Sequence, residues 1–398
     1  MLRRAAYAKQ LSASSDVLLV DAGGAPGGAS AYDRDKFRAM LVGERLMGIA
    51  AHNLGAGELA LGPDSLRELA AETNVPLISA NCMRESGDRI VPPFRLCEVG
   101  QWRVLVIGVI SSQFATAQVQ VGDPAQAVLQ VLRDATQAHH LVVVLGYLDE
   151  AELKELARRV PEVDLFLGGP TPQSVPPQQI GKSWLAAVSN KGKFLAKFTT
   201  GSTAMPLAWA GAIVELGPEI DDDVAQQRNL ERWRDALVRR DFAADQTAFV
   251  SPLPPHLPSD YRVAGTQACR ECHETDHGIW ADSAHAHAWQ TLVAVKAHGD
   301  SYCQQCHSTG YGLPGGFQSL ALSSDRVNVS CESCHGPSLA HVNDPATRTT
   351  LSAREQCQKC HDRENDPEFD YASYWPQIAH GEEPTVRPAS DAPQEAAR

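Results

Sequence analysis

Four copies of one five-residue pattern lie close together in this chain: CRECH (269–273), CQQCH (303–307), CESCH (331–335) and CQKCH (357–361). They use eight of the ten cysteines, and the chain's own Cys and His frequencies give only about 0.01 such matches by chance. In Cys-x-x-Cys-His the two thiols can form thioether bonds to the two vinyl groups of a haem, while the adjacent histidine binds the iron. CxxC is also half of a zinc site, but a zinc ribbon needs no histidine after every pair. Thioredoxin-like redox pairs sit at strand-to-helix junctions, which these motifs do not. The pattern therefore predicts four covalent haem c groups. They attach through Cys269, Cys272, Cys303, Cys306, Cys331, Cys334, Cys357 and Cys360, with His273, His307, His335 and His361 as proximal iron ligands. Four macrocycles in so short a segment leave little room for a side-chain core. Short helices and loops wrapped around packed porphyrins are expected, with Trp280, Trp289, Phe317 and Trp375 against their faces or edges.

Each iron needs a sixth ligand or keeps that position open. Six histidines of this region are not proximal: His277, His285, His287, His298, His341 and His380. His277 follows His273 by four residues, on the same helical face, and is expected outside the coordination sphere. His285 and His287 face different directions, so at most one of them serves a given iron. His341 lies six positions after His335, a span of at most ~20 Å when extended. The intervening Gly336-Pro337 turn shortens that reach, so a neighbouring haem is favoured over its own.

The first part of the chain has a different texture. VLLV (17–20), VPLIS (75–79), RVLVIGVI (103–110), LVVVLG (141–146) and VDLFLG (163–168) read as strands, several of them continuous apolar runs. Helical stretches are expected at 38–50, from Pro63, at 124–138 and at 149–159. Strand–helix alternation of this kind predicts a layered α/β domain. Further strands at 183–189, 194–199 and 207–215 and a helix at 221–240 complete it. Residues 246–262, with prolines at 252, 254, 255 and 258, have the composition of an extended, semi-rigid spacer. The expected organisation is an α/β domain (1–245), a Pro-rich linker (246–262), a multihaem domain of α and irregular structure (263–381) and a disordered tail (382–398). Cys82 and Cys97 remain. In an oxidising compartment they either form a disulfide or stay as two buried thiols.

Of the net charge of −13, residues 246–398 carry −9, from 19 acidic and 10 basic side chains. Haem propionates would add to that. A chain so charged does not suit nucleic acid; it suits redox partner proteins with basic docking surfaces, or small neutral or cationic substrates. No stretch approaches the ~20 apolar residues of a membrane span.

Several segments carry a family resemblance: VAGTQACRECHETDHGIWADSAHAHAW, CHSTGYGLPGGF, VSCESCHGPSLAH and CHDRENDPEFDYASYWPQIAH. In this order they resemble the tetrahaem cytochromes of the cytochrome c-554 family, over about 262–381. The resemblance implies electron transfer in the periplasm, with bis-histidine haems and, in the best-known member, one five-coordinate haem. By position it implies His285, His341 and His380 as distal ligands, leaving one iron open unless His287 or His298 fills the gap.

Residues 10–245 resemble, more loosely, the metallophosphoesterase domain of periplasmic 5′-nucleotidases. The matching stretches are VLLVDAGG, GIAAHNLGAGELALG, VPLISANC, WRVLVIGVI, VVVLGYL and VDLFLGGPTP. The family's metal ligands do not carry over. Their positions hold Gly24, Ala56, Gly57, Tyr147, Pro170 and Pro172, although the Glu that follows the family's Asn-His pair is kept as Glu58. A two-metal hydrolase needs such donors to hold its cations, so a degenerate phosphoesterase fold kept for docking or binding is expected. MLRRAAYAKQ resembles the helix that follows the family's first strand, and no apolar signal region is present. Since haem attachment of this kind occurs outside the cytoplasm, a misassigned start or a trimmed chain is expected.

Three functions compete. The leading one is a periplasmic multihaem electron carrier. The alternative is an oxidoreductase acting on a small nitrogen or oxygen species at a five-coordinate haem. A 5′-nucleotidase-type hydrolase ranks last.

Overall fold

The computed structural model describes residues 1–189, 192–201, 205, 207–250, 253, 257–347 and 353–381. The chain forms two compact units, Met1–Ala236 with Gln246–Ala248, and Leu237–Asp245 with Phe249–Arg398. The compositional change lies later, at 246–262, and Pro252, Pro254, Pro255 and the tail 382–398 lie outside the described residues.

In the first unit the chain runs α1 (Leu2–Ser12), β1 (Val20–Asp21), α2 (Ala31–Met47), β2 (Ala51–Asn53), α3 (Ala56–Leu61), α4 (Pro63–Thr73) and β3 (Leu77–Ile78). It continues through β4 (Cys82–Arg84), β5 (Phe94–Val99), β6 (Trp102–Ile110), β7 (Val119–Val121), α5 (Pro124–Asp134), β8 (Leu141–Tyr147) and α6 (Glu150–Arg159). Last come β9 (Leu165–Gly169), β10 (Val175–Ile180), β11 (Ser183–Ala187), β12 (Phe194–Thr200), β13 (Trp209–Glu215) and α7 (Val224–Arg240), whose final turn belongs to the second unit.

Two sheets carry the core. One is parallel, in the order β1-β2-β3; the other is mixed, in the order β10-β11-β9-β8-β6-β5. Alternation along β6 shows how they layer. Leu105, Ile107 and Val109 meet α5 and α6 through Val128, Val131, Leu153 and Leu156. Val104 and Val106 meet Ala51 and Ile78 of the smaller sheet. On that sheet's other side Leu54 and Leu77 pack with Phe37 and Leu41 of α2 and Leu66 and Leu69 of α4. The result is a metallophosphoesterase-like α/β sandwich, helix on sheet on sheet on helix. Strands β6 and β8 are covered on both faces, which is why they read as unbroken apolar runs.

Local chemistry sets the helix ends. Ser30 caps α2 in a reciprocal box with Asp33, so this helix starts seven residues before the apolar pattern at 38 announces it, and it stops at left-handed Gly48. Asp149 and Glu152 build the same box on α6. VPPQQI forms β10 despite its two prolines because it is an edge strand with a register shift between Val175 and Gln178. Strands β1 and β3 are shorter than their apolar runs because the ladder through β2 spans only two residue pairs on each side. Cys82 and Cys97 are free, buried thiols on separate strands, and burial pushes the Cys82 pKa to about 11.

The second unit is helical and irregular. Beyond α7 its longest helix among the described residues, Glu274–Ala281, has eight residues. Its sole β-contact there is the bridge between Ser308 and Val327. Among the described residues its buried apolar cluster is small, Trp289, Leu292, Ala297 and Phe317, with Trp289 and Phe317 packed on each other at 5.5 Å between ring centroids. Ile279, Val293, Val295, Leu322 and Val342 are exposed. No helix among the described residues is long and apolar enough to cross a membrane.

Candidate metal centres

Each Cys-x-x-Cys-His copy sits on a short helical turn. CQQCH closes the helix Ser301–His307, and CESCH is itself the helix Cys331–His335. The first and last copies begin at helix ends, and there the His273 and His361 amides each donate to the carbonyl of the first cysteine at 2.9 Å. One turn brings residues i, i+3 and i+4 to one face, so both thiols and the imidazole of each copy point to the same side. Thiols also meet between copies. Cys269 lies beside Cys331 and Cys306 beside Cys360, and this proximity raises the pKa of Cys269 and Cys360 and lowers that of Cys331 and Cys306.

Three of the four motif histidines face a second histidine from elsewhere in the chain. Ring centroids are 6.2 Å apart for His273 and His341, 6.1 Å for His285 and His361, and 5.9 Å for His335 and His380. With a metal–imidazole bond of about 2 Å and a ring centre about 1 Å inside its nitrogen, two imidazoles on opposite sides of one metal have centroids about 6 Å apart. The Nδ1 atoms are engaged elsewhere. His341 Nδ1–H donates to the Thr347 carbonyl, His380 Nδ1–H to that of Ile378 and His307 Nδ1–H to that of Ala288, each at 2.8 Å. His361 Nδ1–H donates to Asp366 Oδ2 at 2.7 Å. In all four rings this leaves Nε2 as the nitrogen available to a metal, the arrangement that outer hydrogen bonds impose on ligating histidines.

The remaining histidines go elsewhere. No second imidazole contacts His307 among the described residues. Nor, among these, does the His287 or His298 ring contact a motif histidine ring, and His298 Nδ1 is buried without a partner. His277 packs edge-on against Trp280 at 5.2 Å. Paired imidazoles at metal-spanning distance, thiols on the matching helical turns and a small side-chain core flanked by exposed aliphatics together fit haem c.

Two carboxylates here were not singled out from sequence. Glu332, inside CESCH, is 4% exposed and accepts from the amides of Ala264 (2.8 Å), Gly265 (2.7 Å) and Ser338 (2.8 Å). The other is Asp366. A charged residue at a variable position inside the motif was the available signal for Glu332; no local pattern marks Asp366.

In the first unit the residues at the family's metal positions do not fit a two-metal centre. The Tyr147 ring lies over Gly24 and Gly55. A Cβ on Gly24 would fall 2.4 Å from Tyr147 Cε2, and one on Gly57 would fall 2.1 Å from the Pro26 carbonyl. Glu58, fully buried, is turned onto the protein itself. It accepts from the Gly24, Ala25 and Gly55 amides at 2.9–3.0 Å and binds His52 Nε2 at 3.0 Å. His52 Nδ1 meets Glu44 at 2.9 Å. Burial opposes a charge on His52, but Glu44, Glu58 and Asp21 outweigh it and hold its pKa well above the ordinary value. Asp21, Glu44 and His52 do bring ligand-type atoms within 4.8 Å of one another. Both His52 nitrogens are already engaged, however, and Asp21 is held by Arg4 at 3.1 Å and by the Gly23 amide at 3.0 Å.

Residues 268–336 match the family Cytochrome c554 and c-prime. Among solved structures, a 5′-nucleotidase precursor from Thermus thermophilus is similar at 22% identity and a TM-score of 0.51, covering 61% of this chain and 54% of its own. The sulfate thiohydrolase SoxB of the same organism is similar at 19% identity and a TM-score of 0.50, covering 59% of this chain and 46% of its own. The chain thus spans about half the length of these structures, and at such identities the likeness concerns the fold alone. No curated protein matches. The C-terminal half of the chain resembles the cytochrome c-554 family, and the N-terminal half resembles the metallophosphoesterase domain of 5′-nucleotidases.

Proposed function

We propose that the chain is an extracytoplasmic, periplasmic cytochrome that passes electrons through four covalently bound haems. The three imidazole pairs near 6 Å are the observation that carries this reading. Bound haem would supply one-electron chemistry between ferric and ferrous iron. The residues do the rest. The paired thiols of each motif would anchor a macrocycle, and His273, His307, His335 and His361 would hold its iron. His341, His285 and His380 would supply a second imidazole to three of these irons. Nδ1 hydrogen bonds fix the ring orientations of His307, His341, His361 and His380, so little rearranges there when charge changes. The acidic surface suits redox partners with basic docking faces. The first unit, with Tyr147, Gly24 and Gly57 where donors would stand, acts in docking or binding rather than hydrolysis.

His307, with no second imidazole among the described residues, favours a second reading: an oxidoreductase that binds a small nitrogen or oxygen species at that iron. Electron paramagnetic resonance of the oxidised protein, with a covalent haem count by mass spectrometry, separates the possibilities. Four haems with purely low-spin signals support the carrier. Four haems with a high-spin signal that nitric oxide or cyanide abolishes support the oxidoreductase. Absence of covalent haem refutes both.

A further inference from the structure

We infer that Asp366 tunes one iron, making the centre held by His361 and His285 the lowest in reduction potential of the four. This rests on the haem assignment above and goes beyond it.

The four motif histidines differ in what accepts their Nδ1–H. His361 donates to a carboxylate, Asp366 Oδ2, at 2.7 Å. His307 donates to the neutral carbonyl of Ala288. Asp276 stands 3.5 Å from His273 Nδ1, too far for a hydrogen bond, and the His273 side chain is 55% exposed. His335 has no carboxylate hydrogen bond among the described residues.

A carboxylate acceptor draws the Nδ1 proton toward itself and makes the imidazole a more basic ligand. It also places a negative charge beside the metal. Both effects favour ferric over ferrous iron, through the outer hydrogen-bonding lever on haem potential. The geometry is held firmly. His361 stacks on Phe369 at 4.6 Å and meets Tyr374 at 5.9 Å. The side chains of His361 and Asp366 are 28% and 25% exposed, so water screens the pair only in part. The Asp366 amide is tied to the Asp362 carbonyl at 2.8 Å. The distal carbonyl acceptors of His341 and His380 carry no charge and give their irons no such bias.

The step concerned is addition of one electron from a titrating reductant such as dithionite, with no bond broken. The test is a spectropotentiometric titration of the four-haem holoprotein and its variants. Asp366→Asn should raise one midpoint, the lowest, by at least tenfold in its reduction equilibrium constant, which is 59 mV for one electron. Asp366→Glu should restore most of that, and Asp276→Asn should leave the lowest midpoint in place. His285→Met, which changes the distal ligand of the same iron, should move the same midpoint. Four haems with all midpoints of Asp366→Asn within threefold of wild type overturns the inference. If that variant loses a haem, His285→Met decides: moving any midpoint other than the lowest overturns it. Fewer than four covalent haems in the wild type would instead sink the haem assignment beneath it.

Discussion

Replacing Glu332 by alanine removes one acceptor from three amides at once. The bonds to Gly265 and Ser338 are buried, and that to Ala264 is partly so. A buried donor left without a partner costs about 1–3 kcal/mol, so the two buried amides alone put about 2–6 kcal/mol at stake. Part of this is offset because a carboxylate no longer has to be kept out of water. A net loss of about 3 kcal/mol is expected for Glu332→Ala. Glu332→Gln keeps one oxygen for Ala264 and Ser338 but turns an N–H toward the Gly265 N–H, and should lose about half as much. There is also a functional readout. The Ser338 amide precedes the helix Leu339–Asn343, which carries His341 toward His273. Loosening that turn should weaken low-spin coordination at one iron while leaving the others unchanged. The assay is guanidinium unfolding of the holoprotein followed by far-UV circular dichroism and Soret absorbance, with midpoints compared at constant slope. A Glu332→Ala protein within about 0.5 kcal/mol of wild type, the range of an ordinary surface change, would refute the argument.

The buried His52 network gives a second expectation: His52→Leu strands Glu44 and Glu58 without a counter-charge and should cost about 3–5 kcal/mol in chemical denaturation. Because the folded state binds the His52 proton more tightly than the unfolded chain, this stabilisation is complete below the unfolded value of about 6.5 and fades as pH rises through the raised folded value. Unfolding midpoints across that range check the sign, and a contribution that instead grew with pH would reverse it. His341→Ala should convert the His273 iron from low-spin to high-spin, seen as one new high-spin resonance and the loss of one low-spin set. Phosphodiester and nucleotide substrates with added Mn²⁺ or Zn²⁺ should show no turnover; sustained hydrolysis by the purified chain would restore the nucleotidase reading.

The central strands were legible because burial on both faces leaves nothing but apolar residues to read, as in β6 and β8. Strands β5 and β10 were not, since FRLCEV carries two charged residues that break the apolar run and VPPQQI carries two prolines that only an edge position tolerates. The start of α2 was hidden because a capping box works through two polar side chains and leaves no hydrophobic period. At the candidate haem sites the motifs were readable because their chemistry is local. What each motif histidine faces is non-local, and it took a family's residue order to propose His285, His341 and His380. Asp366 and the His52 network depend on hydrogen bonds with no sequence period, so only coordinates could place them.

The imidazole pairs also constrain how this region acquires its fold. His273 meets a residue that follows the third motif, His361 meets one that follows the first, and His335 meets one that follows the fourth. The segments are therefore laced across one another rather than arranged as successive beads. Contacts this distant in sequence are slow to form, because the chain between them must be ordered first. As the polypeptide emerges from its N-terminus, the first motif has no partner until residue 341 arrives, and the lacing is incomplete until 380. The region should therefore reach its native state late and in one cooperative event, with the thiols accessible until then, and a truncation of its last residues should disturb a centre whose motif lies 45 residues upstream of His380.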